Sequence, residues 1–390
     1  MQNSNSFDVA VVGAGVFGAW TAYQLCQSGA KVILIDGYGP ANSRASSGGE
    51  SRIIRMGYGP DEIYTKLAQR SFTLWDQFIR RVEPPLTNPS QSLFRQTGVL
   101  WVARAKDSYC SATLDTLTRL GVSTELLGPY ELRRRYPQFD FKGIDWAILE
   151  PSSGALMARR AVQAIVAQAQ ADGIELQIAT VIPPIKEGRI KSLTTTSGTE
   201  IVADKFIFAC GPWLPNLFPL LNQLIYITRQ EVIFFGTPPG DDRFWPERMP
   251  IWVDFTDLVY AIPNLENRGF KIAIDDHGPE FDPDTGERVL TESGLLAARA
   301  YLERRIPALA GAPVTESRVC QYENTSNGDF LIDRHPHHEN VWLVGGGSGH
   351  GFKHGPAVAD YVINLLNGKG TLEPRFALSS KGRVQQRQVY

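Results

Sequence analysis

Apolar positions along the chain recur with two periods, and the switch between them divides it. Phe7 to Val12 is a short β-branched run. A glycine turn follows, and Ala19 to Gln27 carries helix-compatible spacing that stops at Gly29. Lys31 to Ile35 is a second strand, ending at Asp36. Strand, helix and strand in that space make one βαβ unit with parallel pairing. Further on, Ala155 to Ala171 predicts a long helix closed by Asp172-Gly173. Ile174 to Ala179, Ile190 to Thr196 and Lys205 to Ala209 predict strands. From Ile225 to Ile274 the pattern changes to short alternating runs: Ile225 to Ile227, Glu231 to Phe235, Leu258 to Ile262 and Phe270 to Ile274. These predict a mostly antiparallel sheet. A helix over Glu292 to Ile306 follows. After Cys320 the first pattern returns, with Val341 to Val344 as a buried strand, a glycine-rich turn, and a helix over Pro356 to Leu366. Two domains are therefore expected, interleaved along the chain.

Composition narrows the class. The 390 residues are 43% hydrophobic and 21% charged, enough apolar material for a large core. The formal net charge is -2 with both signs mixed and no long basic run, so neither nucleic acid nor a membrane surface is expected as a partner. The apolar run Val9 to Val12 is too short to span a bilayer, and no longer one follows. Met1 to Ser6 shows no secretory pattern, and Gln388-Val389-Tyr390 is not a Ser-Lys-Leu address, so a cytoplasmic location is expected. Cys26, Cys110, Cys210 and Cys320 lie far apart with no Cys-x-x-Cys pair, which points to no metal site and no disulfide framework.

The turn Gly13-Ala14-Gly15-Val16-Phe17-Gly18 fits G-x-G-x-x-G. The pattern alone is common. Here it follows a strand, opens a helix, and is followed by Asp36 at the end of the next strand, which is the context a dinucleotide site requires. Gly13 permits the tight turn, Gly15 lets backbone approach a pyrophosphate, and Gly18 lets helix and strand pack closely. The helix N-terminus offers free N–H groups, and Asp36 can accept from ribose hydroxyls. The fingerprint does not choose between FAD and NAD.

Four further segments fall in a fixed order behind it: Ser51-Arg52-Ile53-Ile54-Arg55, Ala209-Cys210-Gly211-Pro212-Trp213, Val319-Cys320-Gln321-Tyr322, and Gly346-Gly347-Ser348-Gly349-His350-Gly351-Phe352-Lys353. In that order the chain resembles the glycine-oxidase/D-amino-acid-oxidase superfamily of flavoproteins. Within it the chain resembles the monomeric sarcosine oxidase family, with its N-methyltryptophan, pipecolate and fructosyl-amino-acid oxidases. The resemblance runs from about Phe7 to Gly368.

The resemblance implies an α/β fold in which a Rossmann-like FAD-binding domain (1–85, 150–224 and 320–390) is interleaved with an α+β, mostly antiparallel substrate domain (86–149 and 225–319). It implies a monomer that oxidises the C–N bond of a small amine or amino-acid derivative with oxygen, giving hydrogen peroxide. A flavin dehydrogenase with another acceptor, and a fructosyl-amino-acid oxidase, are the alternatives. FAD would lie against Gly13, Gly15, Val16, Phe17, Gly18, Asp36, Ser51, Arg52, Val181, Gly211, Trp213, Cys320, Gly347, Gly349, His350, Gly351 and Lys353. Cys320 matches the cysteine that carries the flavin covalently in sarcosine oxidase. Arg55 and Lys353 match its carboxylate-binding pair, and Lys271 its oxygen-activating lysine. Arg52 is expected beside the flavin ring, with Tyr260, Tyr322 and His350 lining the cavity.

Read from the residues alone, Cys320 is a buried structural thiol, the commonest fate of an isolated cysteine, and Lys271 is equally an edge-strand lysine whose tip reaches solvent. One departure stands out. Four residues beyond Lys271 the family carries a histidine, and this chain carries Asp275. That residue either shares the pocket face of Lys271 or opens the turn Asp275-Asp276-His277-Gly278 toward water. In the first case it disfavours a small apolar N-methyl substrate, so the departure puts sarcosine itself in question and leaves the reaction class intact.

Overall fold

The computed structural model describes residues 6–84, 91–184 and 187–386. The expected βαβ unit forms at the centre of a seven-stranded sheet. Its strands run in the order Leu331–Arg334, Val341–Gly345, Glu200–Phe208, Phe7–Val12, Val32–Asp36, Glu175–Ile178, with Ser192–Thr194 beside Glu200–Phe208. Val341–Gly345, Glu200–Phe208, Phe7–Val12, Val32–Asp36 and Glu175–Ile178 pair in parallel. Alternate residues go to opposite cores, as a sheet covered on both faces demands. Val9, Val11, Leu34 and Val344 meet the helices Val16–Gln27, Ala158–Ala171 and Gly355–Leu366. Ala10, Val12, Ile33, Phe206 and Leu343 pack against Leu193, Phe218 and Leu221 on the other side.

An eight-stranded sheet supplies the second layer, in the order Val314–Thr325, Ile225–Phe235, Phe270–Ile274, Val259–Ile262, Ile251–Asp254, Val99–Ala103, Trp146–Glu150, Glu125–Leu127. It is antiparallel except where Ile251–Asp254 meets Val99–Ala103. Helix Glu292–Arg305 covers one face through Ala298, Tyr301 and Leu302. A small third sheet joins Arg52–Ile54, Gly154–Leu156 and Phe94–Arg95.

Several expected elements have different bounds, and two of the differences have a clear cause. Ile225–Phe235 is one strand of eleven residues, not two short ones. The polar residues between the apolar runs remain in the ladder, where Thr228, Arg229 and Gln230 pair with Tyr322, Gln321 and Cys320. The helix expected from Ala155 begins at Ala158, because Gly154–Leu156 is held as a strand between Arg52–Ile54 and Phe94–Arg95.

Candidate active site

The glycine turn shows which of its glycines the fold itself needs. Gly13 has φ of 102°, and a Cβ there would lie 2.3 Å from the Ala209 carbonyl oxygen. A Cβ on Gly18 would lie 1.8 Å from the carbonyl oxygen of Gly13. Gly15 is different: its Cβ would meet just Ser47 Oγ, at 3.5 Å, and would project into a cleft. That cleft has a volume of about 340 Å³. Of the residues expected on a dinucleotide, Gly13, Gly15, Val16, Phe17, Asp36, Arg52, Val181, Gly211, Trp213, Cys320, Gly347, Gly349 and Gly351 line it. Gly18 lies behind the turn. Ser51, His350 and Lys353 line an adjoining cavity instead.

The cleft suits an elongated dinucleotide. At one end Asp36 accepts hydrogen bonds from the amides of Ala14 (2.7 Å), Tyr38 (2.8 Å) and Gly39 (2.8 Å). Burial raises its pKa, and these amides oppose the rise. In the middle, helix Val16–Gln27 starts at Gly15, its Val16 amide donating to Ser47 Oγ (3.0 Å), and it turns the positive end of its dipole to the cleft. At the far end stands Cys320, 8% exposed, with Arg52 Nη2 3.4 Å from its sulfur. Arg52 is anchored by the carbonyls of Ser51 (2.8 Å) and Ser46 (2.7 Å).

Arg52, Cys320, Tyr322, Gly349 and Phe352 also bound the second cavity, of about 80 Å³. Its wall is unusually charged for its size. Arg55 is buried, donates to the Gly57 carbonyl, and lies over the rings of Tyr58 (4.5 Å) and Trp101 (4.7 Å). Lys353 is buried beside it and donates to Tyr58 Oη (2.7 Å) and the His350 carbonyl (2.9 Å). Burial, reinforced by Arg55, holds the Lys353 pKa well below its ordinary value. Opposite charge is present too. Asp275 lines the cavity and accepts a 2.5 Å hydrogen bond from Tyr322 Oη. Burial raises its pKa to about 6, while Tyr322, Arg55 and Lys353 restrain the rise. Tyr260 completes this wall, and burial raises both phenols.

Lys271 and His350 are placed less directly. Lys271 sits on Phe270–Ile274, an interior strand of its sheet, and is 2% exposed. Its ammonium donates to the Ser51 carbonyl (2.9 Å) and Ser51 Oγ (3.2 Å), so it reaches the cavity wall through Ser51. Burial, with Arg52 nearby, lowers its pKa to about 7. The His350 ring stacks on Phe330 (5.0 Å) with Nε2 3.1 Å from the Gly328 carbonyl oxygen.

Three functional neighbours escape a reading of the sequence. Gln230 lines the cavity and bonds the Asp276 carbonyl (2.7 Å), tying down the loop after Asp275. Its one signal is a polar residue between apolar runs. Tyr58 and His354 stand behind Lys353, and no motif marks them.

A family model for FAD dependent oxidoreductases matches residues 8–365, and the chain belongs to that family. Among its curated relatives, the monomeric sarcosine oxidase of Bacillus sp. (strain B-0618) is 31% identical over 379 residues, covering 94% of each chain. The fold matches the fructosyl peptide oxidase from E. terrenum with a TM-score of 0.81 at 22% identity, over 97% of this chain and 93% of that one. It matches the L-proline dehydrogenase from P. horikoshii with a TM-score of 0.80 at 21% identity, over 94% and 95%. The chain is thus an FAD-dependent oxidoreductase with a Rossmann-like domain. Among the described residues no helix is long and apolar enough to cross a membrane.

Proposed function

We propose that the protein is a FAD-dependent oxidase of the C–N bond of a secondary amine in an amino-acid derivative. One observation carries the reading. Two buried cations, Arg55 and Lys353, line one small cavity that opens beside the FAD cleft at Arg52 and Cys320. Asp275 offsets part of this buried positive charge, and a substrate carboxylate can supply the rest. Arg55 can take it through two N–H groups and Lys353 as a point charge. FAD, when bound, supplies the two-electron acceptor for hydride from the carbon beside the nitrogen. Asp275, ionised above about pH 6, is the acceptor facing the amine. The resulting imine hydrolyses to amine and aldehyde, and oxygen takes the electrons as hydrogen peroxide.

Asp275 also bears on substrate choice. A carboxylate in so small a cavity disfavours an apolar N-methyl group and favours hydroxyl or ammonium groups. The relative named for sarcosine and the structure named for fructosyl peptides bracket that range. Lys271, held on Ser51, is assigned to oxygen activation, its positive charge favouring reduced oxygen. Cys320 is assigned as the covalent attachment point of FAD, since its sulfur reaches both cavities beside Arg52. The protein is read as a cytoplasmic monomer, with residues 225–319 supplying part of the substrate wall, Gln230, Tyr260 and Asp275 among them.

A peroxide-coupled screen of N-methyl, cyclic and fructosyl amino acids tests the activity. Peroxide in step with substrate loss is expected. Flavin bleaching without peroxide in air would instead make the protein a dehydrogenase, as the fold likeness to L-proline dehydrogenase allows. No bleaching by any amine overturns the reading. Acid precipitation tests the tether: yellow colour should stay with the pellet, and colour wholly in the supernatant removes Cys320 from this role.

A further inference from the structure

Arg55 and Lys353 are neighbours of the same charge, only partly offset by Asp275 and Glu150, so their placement side by side needs further support before a substrate binds. Both rest on one residue. The guanidinium of Arg55 lies over the face of Tyr58 at 4.5 Å, and Lys353 Nζ lies 2.7 Å from the hydroxyl of the same ring. Tyr58 is fully buried and stacked on Tyr64 at 5.3 Å. On its far side, Tyr58 Oη lies 2.7 Å from His354 Nε2, and His354 is fully buried.

The direction of these hydrogen bonds follows from chemistry. An ammonium can only donate, so the Tyr58 oxygen accepts from Lys353. Its O–H is then left to donate to His354 Nε2 at 2.7 Å, much nearer than His350 Nδ1 at 3.4 Å, and this direction requires a bare Nε2 with the His354 ring proton on Nδ1. Burial, together with the charges of Lys353, His350 and Arg55, keeps His354 neutral and so able to accept. Lys353 spends a second N–H on the His350 carbonyl at 2.9 Å, which leaves the third for the cavity. A chain with this polarity sets where the free N–H of Lys353 points.

We propose that Tyr58 and His354 are positioning residues that hold Arg55 and Lys353 together as one carboxylate clamp, Tyr58 by its ring face and hydroxyl, His354 by accepting the Tyr58 proton. The inference rests on the reading of Arg55 and Lys353 as the carboxylate site.

Binding of acetate to the holoenzyme, followed by the change in flavin absorbance, tests it, with acetamide as the neutral control. Tyr58→Phe keeps the ring beneath Arg55 and removes only the hydroxyl. His354→Phe removes the acceptor, and His354→Gln restores one at the position of Nε2. We expect acetate to bind about tenfold more weakly in Tyr58→Phe and His354→Phe, as for loss of a hydrogen bond to a charged group. His354→Gln should recover most of that loss, and acetamide should bind all four proteins alike. For substrate, KM should rise in the first two variants with kcat little changed. Equal weakening of acetate and acetamide, or no rescue by glutamine, overturns the proposal in favour of a packing role. Lys353→Met separates the two levels. If it weakens acetate while Tyr58→Phe and His354→Phe do not, the positioning role fails and the clamp stands. If Lys353→Met leaves acetate unaffected, the clamp fails and the positioning role with it.

Discussion

Asp275 faces two cations across a space of about 80 Å³, so its charge should govern what the cavity accepts. Its pKa of about 6 lies above the ordinary 3.8, so it gains charge as pH rises through 6. Carboxylate ligands should therefore bind more tightly below pH 6 than at pH 8. Asp275→Asn should remove that dependence and strengthen acetate binding severalfold at pH 8, while weakening amine substrates. Flavin difference spectra across pH check both. Lys271 carries a stability cost of the opposite sign. Its folded pKa is about 7 against 10.5, so between those values the unfolded chain binds the extra proton and stability rises with pH. Lys271→Met should therefore melt higher than the wild type, by an amount that is largest at or below pH 7, of order a few kcal/mol, and that shrinks toward pH 10. The same variant should slow flavin re-oxidation by air, measured by stopped flow, at least tenfold if the lysine serves oxygen. Lys271 was conspicuous in the sequence, since a lysine within Phe270–Ile274 has few inexpensive explanations. Tyr58 was not, because its partners Arg55, Lys353 and His354 meet only once the chain has folded.

The glycine turn was legible because its three glycines do different work within one short element. Gly13 and Gly18 are demanded by carbonyl oxygens of the protein itself, whereas Gly15 faces the cleft. Gly18→Ala should leave little soluble protein, while Gly15→Ala should fold and bind FAD at least tenfold more weakly, by apoprotein titration. Equal damage from both would mean that the open space beside Gly15 is not used. Longer-range elements were harder to read. Ile225–Phe235 looks interrupted in sequence because Thr228 and Gln230 are polar, yet both are buried by the neighbouring strand and the 276–278 loop. Glu62–Val82, the longest helix among the described residues, carries its buried side chains at Tyr64, Thr65, Ala68, Ser71, Trp75 and Phe78. That spacing is regular, but serine and alanine weaken its apolar signal.

At the scale of the molecule, sequence pattern was enough to show that two kinds of sheet alternate, since parallel buried strands and antiparallel strands carry different residue periods. It could not show that Cys320 lies on the strand Val314–Thr325 of the eight-stranded sheet and still borders the cleft of the other. FAD bound in that cleft should therefore touch both sheets and tie them. Protein prepared without flavin should melt several degrees lower than the holoenzyme, by RT ln(1 + [FAD]/Kd) for any reversible fraction, and a scanning fluorescence measurement checks this.

The order of strands also bears on how the protein is made. Gly13 and Asp36 are synthesised long before Val341–Gly345, which completes their sheet beside Glu200–Phe208. A cleft whose walls come from segments so far apart should close late. Flavin loading should then be late as well, and in a cell short of riboflavin the apoprotein should wait with an open cleft, exposed to proteases for as long as the vitamin is scarce.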